Sequence, residues 1–292
     1  MHGVQMTGVD NGYFGPDSVS WRVHREVTVL FGGARALLMQ AAHPLVVAGA
    51  NQTAMYDRNP WKRLQRTLIL TYTLTFGTKA EAHVAAERIN EIHGRINGID
   101  PVTGLRYDAL DPELLLYVHA CLVDSALLFE HLTVGRLDAA GRQRFHEEQM
   151  LAAELCLVPR DLIPPTVAEL RGWLAGVAAT GILRVTDGAR RVADLFLNPP
   201  PEAEWRPVLA GVSRLAFGTL PEALQRAYGF PTTRRRRAAV RAGLVASRAL
   251  RPLLPPRYRY IAPYNEWRLR AKGRPVPEGS VESSRRSVGI RL

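Results

Sequence analysis

Polar cap, proline, acid: this punctuation recurs along the chain and leaves helices as the main element available to it. Asn59-Pro60 and Asp111-Pro112-Glu113 place a capping side chain ahead of a proline at the first helical position, where its missing N–H costs nothing. Thr166 with Glu169 three residues on is a capping box. The residues that follow these signals keep apolar positions three and four apart. Alternating Val/Ile/Thr runs bounded by Asn-Gly turns are absent. The expected elements are a helix over 20–31, a break at Gly32-Gly33, a second stretch to Ala42, and a new segment from Pro44. Helices are then expected over 60–76, 79–96, 111–131, 138–157, 170–178, 186–197, 202–217, 221–228 and 232–254. Beyond Pro255-Pro256 periodicity is lost, and Gly279 to Leu292 reads as a flexible tail.

The expectation is therefore an all-α protein: a single large helical domain with additional C-terminal helices. Its length, 292 residues, is ample for one sizeable core. The division expected is an N-terminal extension over 1–20, a helical body over 21–231, and a basic C-terminal helix and tail over 232–292. Charge supports that division. The net charge is +11, but residues 1–231 hold 22 Lys and Arg against 24 Asp and Glu, while 232–292 hold 16 against 3. Basicity belongs to the C-terminal segment.

Several chemistries are excluded. Two cysteines, Cys121 and Cys156, form no CxxC or Cys/His cluster, which disfavours zinc ribbons, covalently attached haem and a disulfide scaffold. No Glu-x-x-His occurs for a di-metal bundle, and His146-Glu147 lacks the second histidine of a zincin. Phosphate-cradling glycine loops are missing too. No basic-plus-apolar leader opens the sequence. The charge-free run from Ala36 to Tyr56 is too polar to span a bilayer, so the expected location is cytoplasmic, at most peripheral to a membrane.

What remains is histidine on apolar helix faces. Ala82, Ala86, Ile89, His93 and Ile96 share one stripe, and Leu115, His119, Leu122, Ala126 and Phe129 share another. Each histidine can be a hydrogen-bonded core residue. Two on facing helices also suit a haem pocket, because a neutral imidazole facing an apolar space is what an axial ligand requires. On the helix after Pro60, Arg63, Arg66 and Thr67 form one polar patch at i, i+3 and i+4. It is either a solvated face or a patch that holds carboxylates and donates to an oxidant.

In these residues the chain resembles the family that joins the latex-clearing (rubber) oxygenases with the fungal MpaB-type oxygenases. The motifs are Gly33-Ala34-Arg35, Gln40-Ala41-Ala42-His43-Pro44, Arg63-Leu64-Gln65-Arg66-Thr67, Phe76-Gly77, Glu91-Ile92-His93-Gly94 and Tyr117-Val118-His119-Ala120, in order, over roughly 21–159. The resemblance implies a globin-like core and a haem b held by one histidine. His93 matches the proximal ligand, with His119 the alternative; Arg63 and Arg66 are the other cofactor-binding candidates. Arg63, Arg66, Thr67 and His43 are the catalytic candidates. Two departures stand out. Arginine replaces a family lysine at Arg66, and arginine does not lose its proton to ligate iron. The stretch from Ala36 to Tyr56 holds no carboxylate where the rubber enzymes carry a basic glutamate, which leaves His43 as the proton-transfer candidate there. These departures count against polyisoprene as the substrate and leave an unidentified small apolar molecule as the expected one. Other readings open at this point are a haem-free helical binding protein for an apolar ligand, and a membrane-surface protein acting through the C-terminal arginines. Nucleic acid is not expected as a partner, because recognised DNA-binding motifs and interleaved aromatics are missing.

Overall fold

A computed structural model describes residues 10–52, 60–198, 206–230 and 233–275, with the side chains of 60–65 and 206–209 outside the described set. In chain order the elements are α1 (Val19–His24), α2 (Val27–Ala41), α3 (Pro44–Gln52), α4 (Pro60–Phe76), α5 (Lys79–His93), β1 (Asn97–Ile99), β2 (Arg106–Asp108), α6 (Pro112–Thr133), α7 (Ala139–Leu155), α8 (Val167–Ala179), α9 (Asp187–Leu197), α10 (Arg206–Gly218), α11 (Glu222–Ala227), α12 (Arg234–Leu250), α13 (Pro256–Arg259) and α14 (Ala262–Arg270). The protein is all-α, with one two-stranded hairpin among the described residues.

The central contact is α2 against α6, and it corrects the expected break at Gly32-Gly33. The helix runs through both glycines. A Cβ on Gly32 would lie 2.8 Å from the Ser125 carbonyl and 3.2 Å from the Phe129 ring, so the residue is there for close approach rather than for helix termination. The break falls earlier, at Arg25–Glu26. Glu26 is extended, bridges Tyr260 through the backbone, and turns its carboxylate onto the Arg251 guanidinium. A distant partner, invisible to local periodicity, ends α1.

α2 and α3 meet at His43-Pro44 with a bend of 102°. Proline at the start of α3 lacks the N–H that would continue α2. The Thr166/Glu169 box caps α8 as expected, and Thr78/Glu81 makes a second one at α5. α5 stops at His93, three residues short of the expected end. The chain then enters the hairpin, which pairs Asn97 with Asp108, Gly98 with Tyr107 and Ile99 with Arg106. Three-residue strands are too short to show alternation, and Tyr107 alone on β2 is buried.

α12 lays Val240 and Leu244 on Leu215 and Phe129. The segment after Pro255-Pro256, where no periodicity is expected, forms two short helices. α13 and α14 are too short for a stripe and anchor through aromatics instead: Ile261 and Tyr264 join Trp21 and Phe76, and Trp267 packs edge-on to Trp21. Residues 276–292, including the expected tail, lie outside the described residues.

Candidate functional site

The 102° elbow between α2 and α3 opens a cavity of about 240 Å³. Leu37 from α2, Leu115 and Val118 from α6 and Phe196 from α9 supply apolar walls. Among the described residues no carboxylate, lysine or arginine lines it, and the ionisable ones that do are His93 and Tyr107. Tyr107 donates its hydroxyl to the Gln52 Oε1 at 3.2 Å. Gln40, also in the wall, donates Nε2 to the Val118 carbonyl at 3.0 Å, which leaves its side-chain oxygen as an acceptor. His93 sits on the last residue of α5 and is half-buried, so its ring reaches the cavity from a helix end.

Thr67 lines the same cavity from α4 and is itself exposed, which puts it at the mouth. Arg66 is exposed and outside the lining. Arg63 lies on α4 with its side chain outside the described residues.

His43 is buried at the elbow, its ring centroid 5.1 Å from that of Tyr117, flanked in sequence by the cavity-lining Ala41 and Leu45 but not itself lining. Burial pushes its pKa down to about 4, with the Asp111 carboxylate opposing, and its Nδ1 has no hydrogen-bond partner. At neutral pH it is an uncharged imidazole and a weak base.

His119 is buried on α6 outside the cavity. Its neighbour is His146 on α7: burial first, then His146, pushes the His119 pKa down to about 3. His24 of α1 is held at about 4 by burial, with Gln149 of α7 beside it. His146 gives one ring nitrogen to the Pro164 carbonyl at 2.7 Å, and its pKa is also lowered by burial. The His119 Nε2 and His146 Nδ1 are buried with no partner. The two sequence stripes thus lead to different places: His93 to an open space, His119 to a packed helix interface. Leu122, expected on the buried His119 stripe, is 38% exposed.

Sequence reasoning missed Tyr107, which carried no periodic signal, and the association of His24 and His146 with His119. Gln40 was present in a quoted motif without a role of its own. Among the described residues, no group of three or more His, Cys, Asp or Glu side chains could hold a metal ion.

Fold and cavity together define an all-helical protein with a largely apolar internal site served by one imidazole. Residues 21–249 match the family described as ER-bound oxygenase mpaB/B'/rubber oxygenase, catalytic domain, and the chain belongs to that family. The match runs past residue 231 and takes in nearly all of α12. No curated protein and no solved structure matches the chain.

Proposed function

We propose that this oxygenase-family protein is a haem b-dependent oxidoreductase acting on a small apolar molecule, with His93 as the residue that would bind its iron. The observation that carries the proposal is a single imidazole lining a mostly apolar cavity in which no other charged or imidazole side chain lies among the described residues. That donor set fits haem b, which asks the protein for one axial nitrogen and an apolar enclosure. It does not resemble a multi-ligand metal centre. When bound, the haem would supply the activation of dioxygen or peroxide.

The chain's own residues have separable tasks. His93 would hold the iron. Leu37, Leu115, Val118 and Phe196 exclude water and favour an apolar substrate. The Gln40 side-chain oxygen and the Thr67 hydroxyl are the polar groups able to orient a substrate or donate at the mouth. Arg66 is the residue before Thr67 and Arg63 lies about one turn before it along α4, where a guanidinium would suit a propionate carboxylate. His43, neutral and of low basicity behind the wall, is ill suited to act as a strong general base.

Purified protein should be reddish, or take up added hemin, with a Soret band that His93→Ala abolishes or shifts. A colourless protein that ignores hemin would sink this reading. A second reading, a haem-free binding module for an apolar ligand, draws on the mostly apolar wall; at about 240 Å³, below the roughly 300–1,000 Å³ usual for drug-sized ligands, the cavity would suit a smaller one. Saturable uptake of an apolar dye without hemin binding would select it.

A further inference from the structure

We propose that the outward face of α12 and the turn after it form a docking surface for an anionic lipid membrane. The inner face of the helix is already occupied: Val240 and Leu244 pack on Leu215 and Phe129, and a Cβ on Gly218 would collide with Val240. Some of the arginines serve that docking. Arg236 stacks over the Phe230 ring, Arg237 lies 3.7 Å from Glu222, and Arg248 reaches the His131 carbonyl. Arg234, Arg235 and Arg241 are exposed, with no ion pair among the described residues.

Two observations point outward. The first is electrostatic. From Thr232 to Arg259 the chain holds no acidic residue, and four arginines open α12 at its N-terminus. Cations at that end oppose the helix dipole, so folding alone does not favour them there. An external polyanion would. The second is apolar. Five of the thirteen exposed large hydrophobic residues described lie between Val245 and Tyr258, with Leu253 77%, Val245 60% and Leu250 57% exposed. Leu254 and Tyr258 complete the group.

Exposed apolar side chains at the C-terminal end of α12 and in the turn after it, with exposed arginines on the same helix, match the lipid interface, where side chains enter the acyl boundary while arginines meet headgroups. A nucleic acid would use the arginines and leave the leucines in water. The occupant with both complements is an anionic bilayer surface. The inference does not depend on the oxygenase reading.

The test is flotation of the full chain with phosphatidylserine-containing and pure phosphatidylcholine vesicles, at about 0.1 M salt, where screening extends about 10 Å. Wild type should float only with the anionic vesicles. The triple variant Arg234→Glu, Arg235→Glu, Arg241→Glu should lower the partition about a hundredfold or more, at roughly fivefold per arginine. It keeps the fold, since acids at positions 234 and 235 stabilise the helix N-terminus and Arg241 is exposed with no ion pair among the described residues; circular dichroism and the Tm check this. The variant Val245→Ser, Leu250→Ser, Leu253→Ser should also weaken flotation, by at least about tenfold, as each loses buried apolar area. The proposal is overturned if wild type ignores anionic vesicles or if the charge variant floats like wild type. It is equally overturned if the apolar variant leaves flotation unchanged while the arginines govern binding to duplex DNA. Sedimentation showing a dimer that the same variants dissociate, without vesicle binding, would reassign the face to a second copy of the chain.

Discussion

His93 and His119 sit on helices that read alike, yet the protein uses the two positions in opposite ways. His93 ends its helix and lines an apolar cavity, half open to solvent. His119 is mid-helix, buried, and close enough to His146 of α7 for that ring to push its pKa further down. The contrast shows that an apolar stripe reports which face is inward, while what lies inward, space or another helix, depends on neighbours from elsewhere in the chain.

The largest test of this contrast is cofactor uptake. His93→Ala should abolish or displace the Soret band of hemin-loaded protein, while His119→Ala should retain it. The reverse result would move the ligand to α6 and break the distinction. Next in size is stability without cofactor, measured by urea unfolding. His119→Ala removes a buried ring and should cost about 2–4 kcal/mol. His93→Ala, half-exposed at a helix end, should stay within about 1 kcal/mol.

A third effect is the pH dependence of stability. Burial holds His24 and His43 at about 4 and His119 at about 3, below the ordinary 6.5. The unfolded chain therefore takes up these protons first as the pH falls. Stability is complete above about 6.5 and declines from there towards pH 4 to 3, by about 1 kcal/mol per pH unit per histidine. Replacing His119 with leucine should flatten the decline by one group's share and cost little at pH 7, because an unpartnered buried nitrogen is removed with the ring. An unaltered slope, read from urea midpoints at pH 7 and pH 5, would show that His119 titrates normally. The smallest effect concerns Leu122. Its exposed position predicts that Leu122→Gln changes stability by no more than about 0.5 kcal/mol; a loss of about 2 kcal/mol would put it back in the core.

The helices were legible because their signals are local. A cap, a proline or a 3.6-residue stripe acts over one or two turns, so Thr166/Glu169, Asp111-Pro112 and Pro44 all mark real helix starts. The errors share a non-local cause. Gly32-Gly33 looked like a terminator because its contact, the α6 backbone at Ser125, is far off in sequence. The end of α1 at Glu26 depends on Arg251, and order after Pro255-Pro256 depends on Trp21 and Phe76. The hairpin was too short to show a period. For the site, the sequence placed His93 and Thr67 as candidates, and the structure brings both to one cavity. It could not supply Tyr107 or Gln40 as wall residues, nor separate His93 from His119.

By itself, then, the sequence determined the all-helical class, the uneven charge that isolates residues 232–292, and the ordered motifs that carry the family. These rest on spacing and composition, which act along the chain. Only the tertiary structure decided that His93 faces a cavity while His119 faces α7, that α2 passes unbroken over α6, and which arginines of α12 are taken up by packing. Those outcomes depend on which distant surfaces meet, and burial, a lowered pKa or a leucine left exposed exists only once they have met.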